Sequence, residues 1–122
     1  MSFFEVETWV PKPGHKVDHD QMIKKWFLFV KNNKEELFPE WLSARYYREV
    51  ERGSGEATCR YVMMFEYTSH KDFLTYKKRR QNWEGPYAEY KKVDPYQFFD
   101  LNTVTENYWV PEEADMWLDF TR

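Results

Sequence analysis

The segment SARYYREVERGSGEATCRYVMMFEY, residues 43–67, constrains this chain more than any other. Two runs rich in tyrosine, valine and methionine flank Gly53-Ser54-Gly55. Glycine takes positive φ without steric cost, and two strand-like runs about a short glycine-rich turn read as a β-hairpin. The spacing predicts strands over 43–51 and 57–67. The second run passes directly into TSHKDFLTY, where Ser69 can cap a helix and Asp72 occupies its third position. A hairpin that feeds a capped helix fixes the middle of the fold.

The flanks complete the pattern. Residues 3–10, FFEVETWV, alternate as a strand does, with Phe4, Val6, Thr8 and Val10 on one side and Phe3, Glu5, Glu7 and Trp9 on the other. Pro11, Pro13 and Gly14 end it. Asp18 and Gln21 have the spacing of a capping box. Met22, Ile23, Trp26, Phe27, Val30 and Leu37 then recur at helical intervals as far as Pro39. In the second helix Phe73, Tyr76, Arg80, Trp83 and Tyr87 form one stripe, broken at Gly85-Pro86. Residues 86–100 read as irregular or short-helical, and TVTENYWV, residues 103–110, as a fourth strand. The tail, 111–122, carries Trp117 and Phe120 and is expected to pack on the body or on a partner. The order is β-α-β-β-α-β, the ferredoxin-like α+β arrangement, an antiparallel four-stranded sheet with both helices on one face.

Composition narrows the classes. A chain of 122 residues suits a single domain, 1–122. A net charge of −3 argues against a nucleic-acid partner, which needs a basic face. No apolar run approaches the roughly 20 residues of a membrane span, and Glu5 and Glu7 fall where a signal peptide would be apolar. One cysteine, Cys59, excludes an internal disulfide framework and reads as a small core residue. The expectation is a cytoplasmic protein. Aromatic residues make up 20% of the chain, more than a small core needs, so some belong to an interface or a pocket.

On the third strand, Cys59, Tyr61, Met63, Phe65 and Tyr67 form the side expected to meet the helices. Thr58, Arg60, Val62, Met64 and Glu66 form the other. Val62 and Met64 are apolar for a wet surface, and the same mixture recurs in Phe3, Glu5, Glu7 and Trp9. The helix-free face is therefore expected to be covered, and a second copy is the commonest cover. The hairpin ARYYREVERGSGEATCRYVMMFEY, the corner TSHKDFLTY and the late strand TVTENYWV together resemble the dimeric α/β-barrel superfamily. That superfamily includes the antibiotic-biosynthesis monooxygenase-like, NIPSNAP-like and stress-responsive barrel families, and the resemblance covers residues 3–110. It implies a homodimer with a cavity between sheet and helices. Some members bind small aromatic or polyketide-like molecules, or haem. Haem-degrading members use a histidine farther along the second helix, where this chain has Tyr76, Arg79, Arg80 and Trp83. They also use an asparagine in the first strand, which this chain lacks.

The function that follows is a homodimeric binder of a small apolar or aromatic molecule, as a cofactor-free oxygenase, isomerase or cyclase. Trp9, Met64, Trp83, Tyr87 and Trp109 are the candidate binding residues; Glu7, Arg60 and His70 are the candidates for proton transfer or orientation. A carboxylate in an apolar cavity acquires a raised pKa and can act as a base, with Arg45 or Arg60 as an alternative cross-sheet partner. His70 has a second reading as an exposed first-turn residue. Lys77-Lys78-Arg79-Arg80 reads as a solvated helical face. His15, Asp18 and His19 offer metal-ligand chemistry in a single loop-to-helix segment, but no metal site is assigned. A ligand carrier or interaction scaffold stays open. The RNA recognition motif shares the element order, but RYVMMFEY matches its third-strand consensus only at Arg60 and Tyr67.

Overall fold

A computed structural model describes residues 2–121. Alternation and turn chemistry produce β1 (Phe3–Pro11), β2 (Trp41–Val50), β3 (Ala57–Tyr67) and β4 (Phe99–Trp109). They form one antiparallel sheet in the order β2-β3-β1-β4. This is the ferredoxin-like topology expected from the hairpin and the two helical stripes.

The helices are α1 (Lys16–Asn32), α2 (Lys34–Leu37), α3 (His70–Arg80) and α4 (Ala88–Val93). Ser69 caps α3, its hydroxyl accepting from the Asp72 amide at 3.1 Å. The expected cap at Asp18 is not formed. Helix α1 begins three residues earlier, at Lys16 with His15 in the cap position, and Asp18 sits in its first turn, bonded to His15 at 3.1 Å. The chain breaks at Asn33 before the single turn of α2. Residues 86–100 contain α4 and a 3-10 turn, Pro95–Phe98. Strand β4 starts at Phe99 rather than 103 because this turn delivers the chain straight to the sheet.

Cross-strand partners share a face, and their register settles which face is which. Phe3, Glu5, Glu7 and Trp9 oppose Tyr67, Phe65, Met63 and Tyr61. These are the residues that pack on α1 and α3, where Ile23, Trp26, Phe73 and Tyr76 complete the core. Phe3, Glu5, Glu7 and Trp9 thus lie under the helices, not on the helix-free face where the sequence pattern placed them. The helix-free face holds Phe4, Val6, Thr8, Arg60, Val62 and Met64, with Tyr47 beside Val62 and Trp109 beside Phe4.

One further expectation changes. Cys59 is exposed, not buried, and adopts φ 73°, in the left-handed region that disfavours a side chain. The β2–β3 register shifts between Arg48 and Val50, and the irregularity turns Cys59 out of the core pattern. Along the tail, Met116, Trp117, Leu118 and Phe120 are all more than half exposed in the single chain.

Candidate functional site

Between the sheet and the helix layer lies a cavity of about 320 Å³. Trp9, Trp26, Trp41, Phe65 and Phe99 supply its aromatic walls. They lie at alternate strand positions or on the inner stripe of α1, so sheet pleat and helix pitch both turn them inward. Helix α3 adds the neighbours Tyr76 and Lys77 and, one turn on, Arg80. Asp94, Pro95 and Tyr96 close one side, and Glu106 reaches in from β4.

Two carboxylates enter from β1. Glu5 is 4% exposed and fully engaged: it pairs with Lys77 Nζ at 3.1 Å and accepts from the Tyr67 hydroxyl at 3.0 Å. Glu7, two residues on, lies directly opposite Glu106 of β4. Burial strips water from Glu7, and Glu5 and Glu106 add like charge; Lys77 opposes them only in part. The Glu7 carboxyl is pushed up to about 8. At neutral pH it holds a proton and gives it up just above, the range in which a carboxylate is a strong enough base to take a proton from a weakly acidic carbon or phenol.

The other polar groups are arranged around this acid. Arg80 packs its guanidinium over Trp83 and Tyr90, at 5.4 and 5.1 Å, with Asp94 at 3.6 Å. Both cations of the cavity are thus already matched to carboxylates. The Tyr76 hydroxyl is buried with no hydrogen-bond partner, and burial holds its pKa well above the usual tyrosine value. It is a neutral donor available to a bound molecule. Tyr96 stands at the rim against Glu7, its pKa raised by burial and then by the charges of Glu7 and Glu106.

Of the residues expected from sequence, the structure brings Glu7 and Trp9 into the cavity. Met64 and Trp109 stand on the opposite face of the sheet, because they share parity with Val6 and Phe4 rather than with Glu7. Arg60 is on that face too. Its Nη1 donates to Thr8 Oγ1 and the Thr103 carbonyl, both at 3.0 Å, so it reaches neither glutamate. Tyr87 is buried in the core against Phe38 and Tyr76 but does not line the cavity, taking a bond from Arg79 Nε at 3.1 Å and donating to the Leu37 carbonyl. Trp83 serves as the platform under Arg80. His70 begins α3, is exposed and leans on Phe3 at 5.1 Å.

His15 and Asp18 pair with each other at the surface, whereas His19 turns inward. Among the described residues no three His, Cys, Asp or Glu side chains gather as metal ligands. Among them, too, no helix is long and apolar enough to cross a membrane.

Sequence reasoning missed Tyr76, Lys77, Arg80, Tyr96 and Glu106 as cavity residues. One signal was present. Arg80 falls within an otherwise aromatic stripe, and a cation at such a position faces inward unless the helix is mispitched.

The fold and site define a ferredoxin-like α+β chain with an aromatic-walled cavity under its helices. The architecture is that of the antibiotic-biosynthesis monooxygenase-like and NIPSNAP proteins, as the sequence resemblance implied. A NIPSNAP family protein from Agrobacterium tumefaciens superposes with a TM-score of 0.58 at 10% identity, over 93% of this chain and 96% of that one. A cofactor-independent oxygenase from Streptomyces nogalater gives a TM-score of 0.53 at 12% identity, over 93% and 95%. The hydroxynitrile lyase of Passiflora edulis gives 0.60 at 13% identity, again over 93% and 95%. No family model matches the sequence, and no curated protein matches it. At these identities the likeness is one of fold.

Proposed function

We propose that this chain is a homodimeric enzyme that binds a small apolar or aromatic molecule in the cavity and removes a proton from it with Glu7, without a cofactor. The observation that carries the reading is the placement of Glu7 inside an aromatic cavity, opposite a second carboxylate, with its pKa raised to about 8. Proton abstraction is the shared first step of cofactor-free oxygenation, isomerisation and cyclisation. Trp9, Trp26 and Trp41 offer stacking surface to a flat ligand. The Tyr76 hydroxyl is placed to donate to an oxygen of the substrate as negative charge develops there. The similar folds of a cofactor-independent oxygenase and a hydroxynitrile lyase support an architecture suited to such chemistry.

Dimerisation is proposed through the helix-free face. Phe4, Val62, Met64, Tyr47 and Trp109 share it, and Tyr47 and Trp109 are 47% and 52% exposed in the single chain. Light scattering at micromolar concentration checks this, and a stable monomer overturns it.

The base is tested with 5-nitrobenzisoxazole, a flat aromatic carbon acid whose ring opens once a base removes its proton. Saturable turnover that rises with an apparent pKa near the Glu7 value, and that Glu7→Gln abolishes, is the expected result. Equal turnover in the wild type and Glu7→Gln removes Glu7 from the chemistry. Tight binding of the probe with no turnover in either favours a ligand carrier.

A further inference from the structure

The segment His15-Lys-Val-Asp-His-Asp20 holds a polar chain that runs from solvent to the cavity wall. Lys16 Nζ donates to Asp20 Oδ2 at 2.6 Å. Asp20 Oδ1 lies 2.9 Å from His19 Nδ1. Trp9 Nε1 donates to His19 Nε2 at 2.8 Å. His19 is completely buried, and among the described residues Glu5 is the other buried polar or charged side chain.

The geometry fixes the protonation state. An indole N–H only donates, so His19 Nε2 must accept. The single imidazole proton then sits on Nδ1, facing Asp20. A doubly protonated ring could not accept from Trp9 at all. One tautomer of neutral histidine satisfies both neighbours.

Trp9 has reason to need the anchor. It lies where β1 slips register against β4, between Thr8 and Val10, so on that side the ladder does not define its position. Bulges re-aim side chains beside functional sites. The indole stacks on Phe99 at 4.1 Å and lines the cavity two residues from Glu7. We infer that His19 is a positioning residue for the cavity: through its bond to Trp9 it fixes the indole as a wall of the ligand site. This rests on the cavity being the ligand site, as proposed above, but not on Glu7 being the base.

The anchor is sensitive to acid. His19 faces Asp20 and Lys16 from α1 and Tyr61 from β3 at 5.1 Å, with Tyr46 of β2 stacked behind Tyr61 and apolar Phe99 on the β4 side. Burial lowers the His19 pKa below its usual value; Asp20 raises it and Lys16 lowers it further. A depressed histidine pKa means that the unfolded chain binds the proton more readily than the folded one. Stability from the neutral arrangement is therefore present above the ordinary histidine pKa and is lost as pH falls through the folded value.

The test combines NMR with ligand binding. Imidazole nitrogen shifts should report the Nδ1–H tautomer of His19 at pH 7. On acidification the ring should protonate below the ordinary histidine range, and the Trp9 indole proton should lose about tenfold of its exchange protection in the same step. The dissociation constant of 2-naphthol, neutral throughout this range and read by tryptophan fluorescence, should rise severalfold in that step. Lys16→Met should move the step up in pH and Asp20→Asn should move it down. His19→Leu should weaken 2-naphthol severalfold at every pH and raise KM for 5-nitrobenzisoxazole with kcat nearly unchanged. His19→Gln, whose side-chain oxygen can still accept from Trp9, should restore binding and abolish the acid step.

An Nε2–H tautomer, an unchanged acid step in His19→Gln, or 2-naphthol binding indifferent to His19→Leu overturns the inference. The nitrogen shifts and naphthol affinities do not depend on turnover, so they separate failure of this inference from failure of Glu7 as base.

Discussion

Glu5 and Glu7 stand two residues apart on the same face of the same strand, yet they occupy opposite electrostatic regimes. At the Glu5 end of the cavity, Lys77 and Tyr67 match the carboxylate with a charge and a hydrogen bond. At the Glu7 end, the directly opposed residue is another glutamate, Glu106. Like charges placed opposite each other across a sheet are unfavourable, and the conflict is relieved when one of them keeps its proton. A paired carboxylate is structure, whereas the one facing its like inside an aromatic cavity is the residue proposed above as the base. Local conflicts of this kind are expected at functional sites rather than in ordinary cores.

The contrast can be broken from either end. The largest expected effect is on rate: Glu7→Gln lowers 5-nitrobenzisoxazole turnover by about 10²–10³-fold, in the range of a lost general base, as initial rates measure. Glu5→Gln acts first on folding. It takes the charged partner from Lys77 and weakens the acceptor of Tyr67, costing about 1–3 kcal/mol in urea unfolding. It also removes a like charge from Glu7 and leaves Lys77 less neutralised. Both changes shift the pH–rate inflection below the wild-type value near 8.

A third consequence joins stability to pH. The folded pKa of Glu7 lies above its unfolded value, so between pH 4.5 and about 8 the folded chain holds a proton that the unfolded chain releases. Stability from this group is full below the unfolded pKa and falls as pH rises through the folded one. Glu7→Gln should therefore gain stability over the wild type at pH 9 relative to pH 5, as paired thermal melts check. The smallest effect on stability is at Tyr76. Tyr76→Phe removes a buried hydroxyl without a partner and should raise stability by up to about 1 kcal/mol, leaving the Glu7 inflection in place.

The element order was legible because its signals are local. Gly53 to Gly55 announce the hairpin, Ser69 caps α3, and alternation marks each strand. The inward side of β3 was legible as well, since Tyr61, Met63 and Phe65 are plainly apolar. The covered side of β1 was not. Phe4, Val6, Thr8 and Val10 carry no charge, whereas Phe3, Glu5, Glu7 and Trp9 include two glutamates, and only the pairing of Glu7 with Met63 labels the charged set as the covered one.

Misplacement of Met64, Trp109 and Arg60 has the same root, since parity within a strand is visible in sequence but register between strands is not. Lys77 and Arg80 were hidden in a basic run whose inward members appear only once helical pitch is set against the sheet. Cys59 looked like a core residue because a register shift leaves no mark in composition. In sequence His19 stands beside Asp18 and His15 and carried no role beyond unassigned metal-ligand chemistry, whereas the helix turns it toward Trp9.

The carboxyl protons themselves can be followed by carbon-13 NMR titration of the glutamate side chains. The structure predicts that Glu7 titrates at about 8 and that this signal vanishes in Glu7→Gln. A Glu7 carboxyl that titrates near 4.5, like an ordinary exposed glutamate, would contradict the assignment of Glu7 as the base.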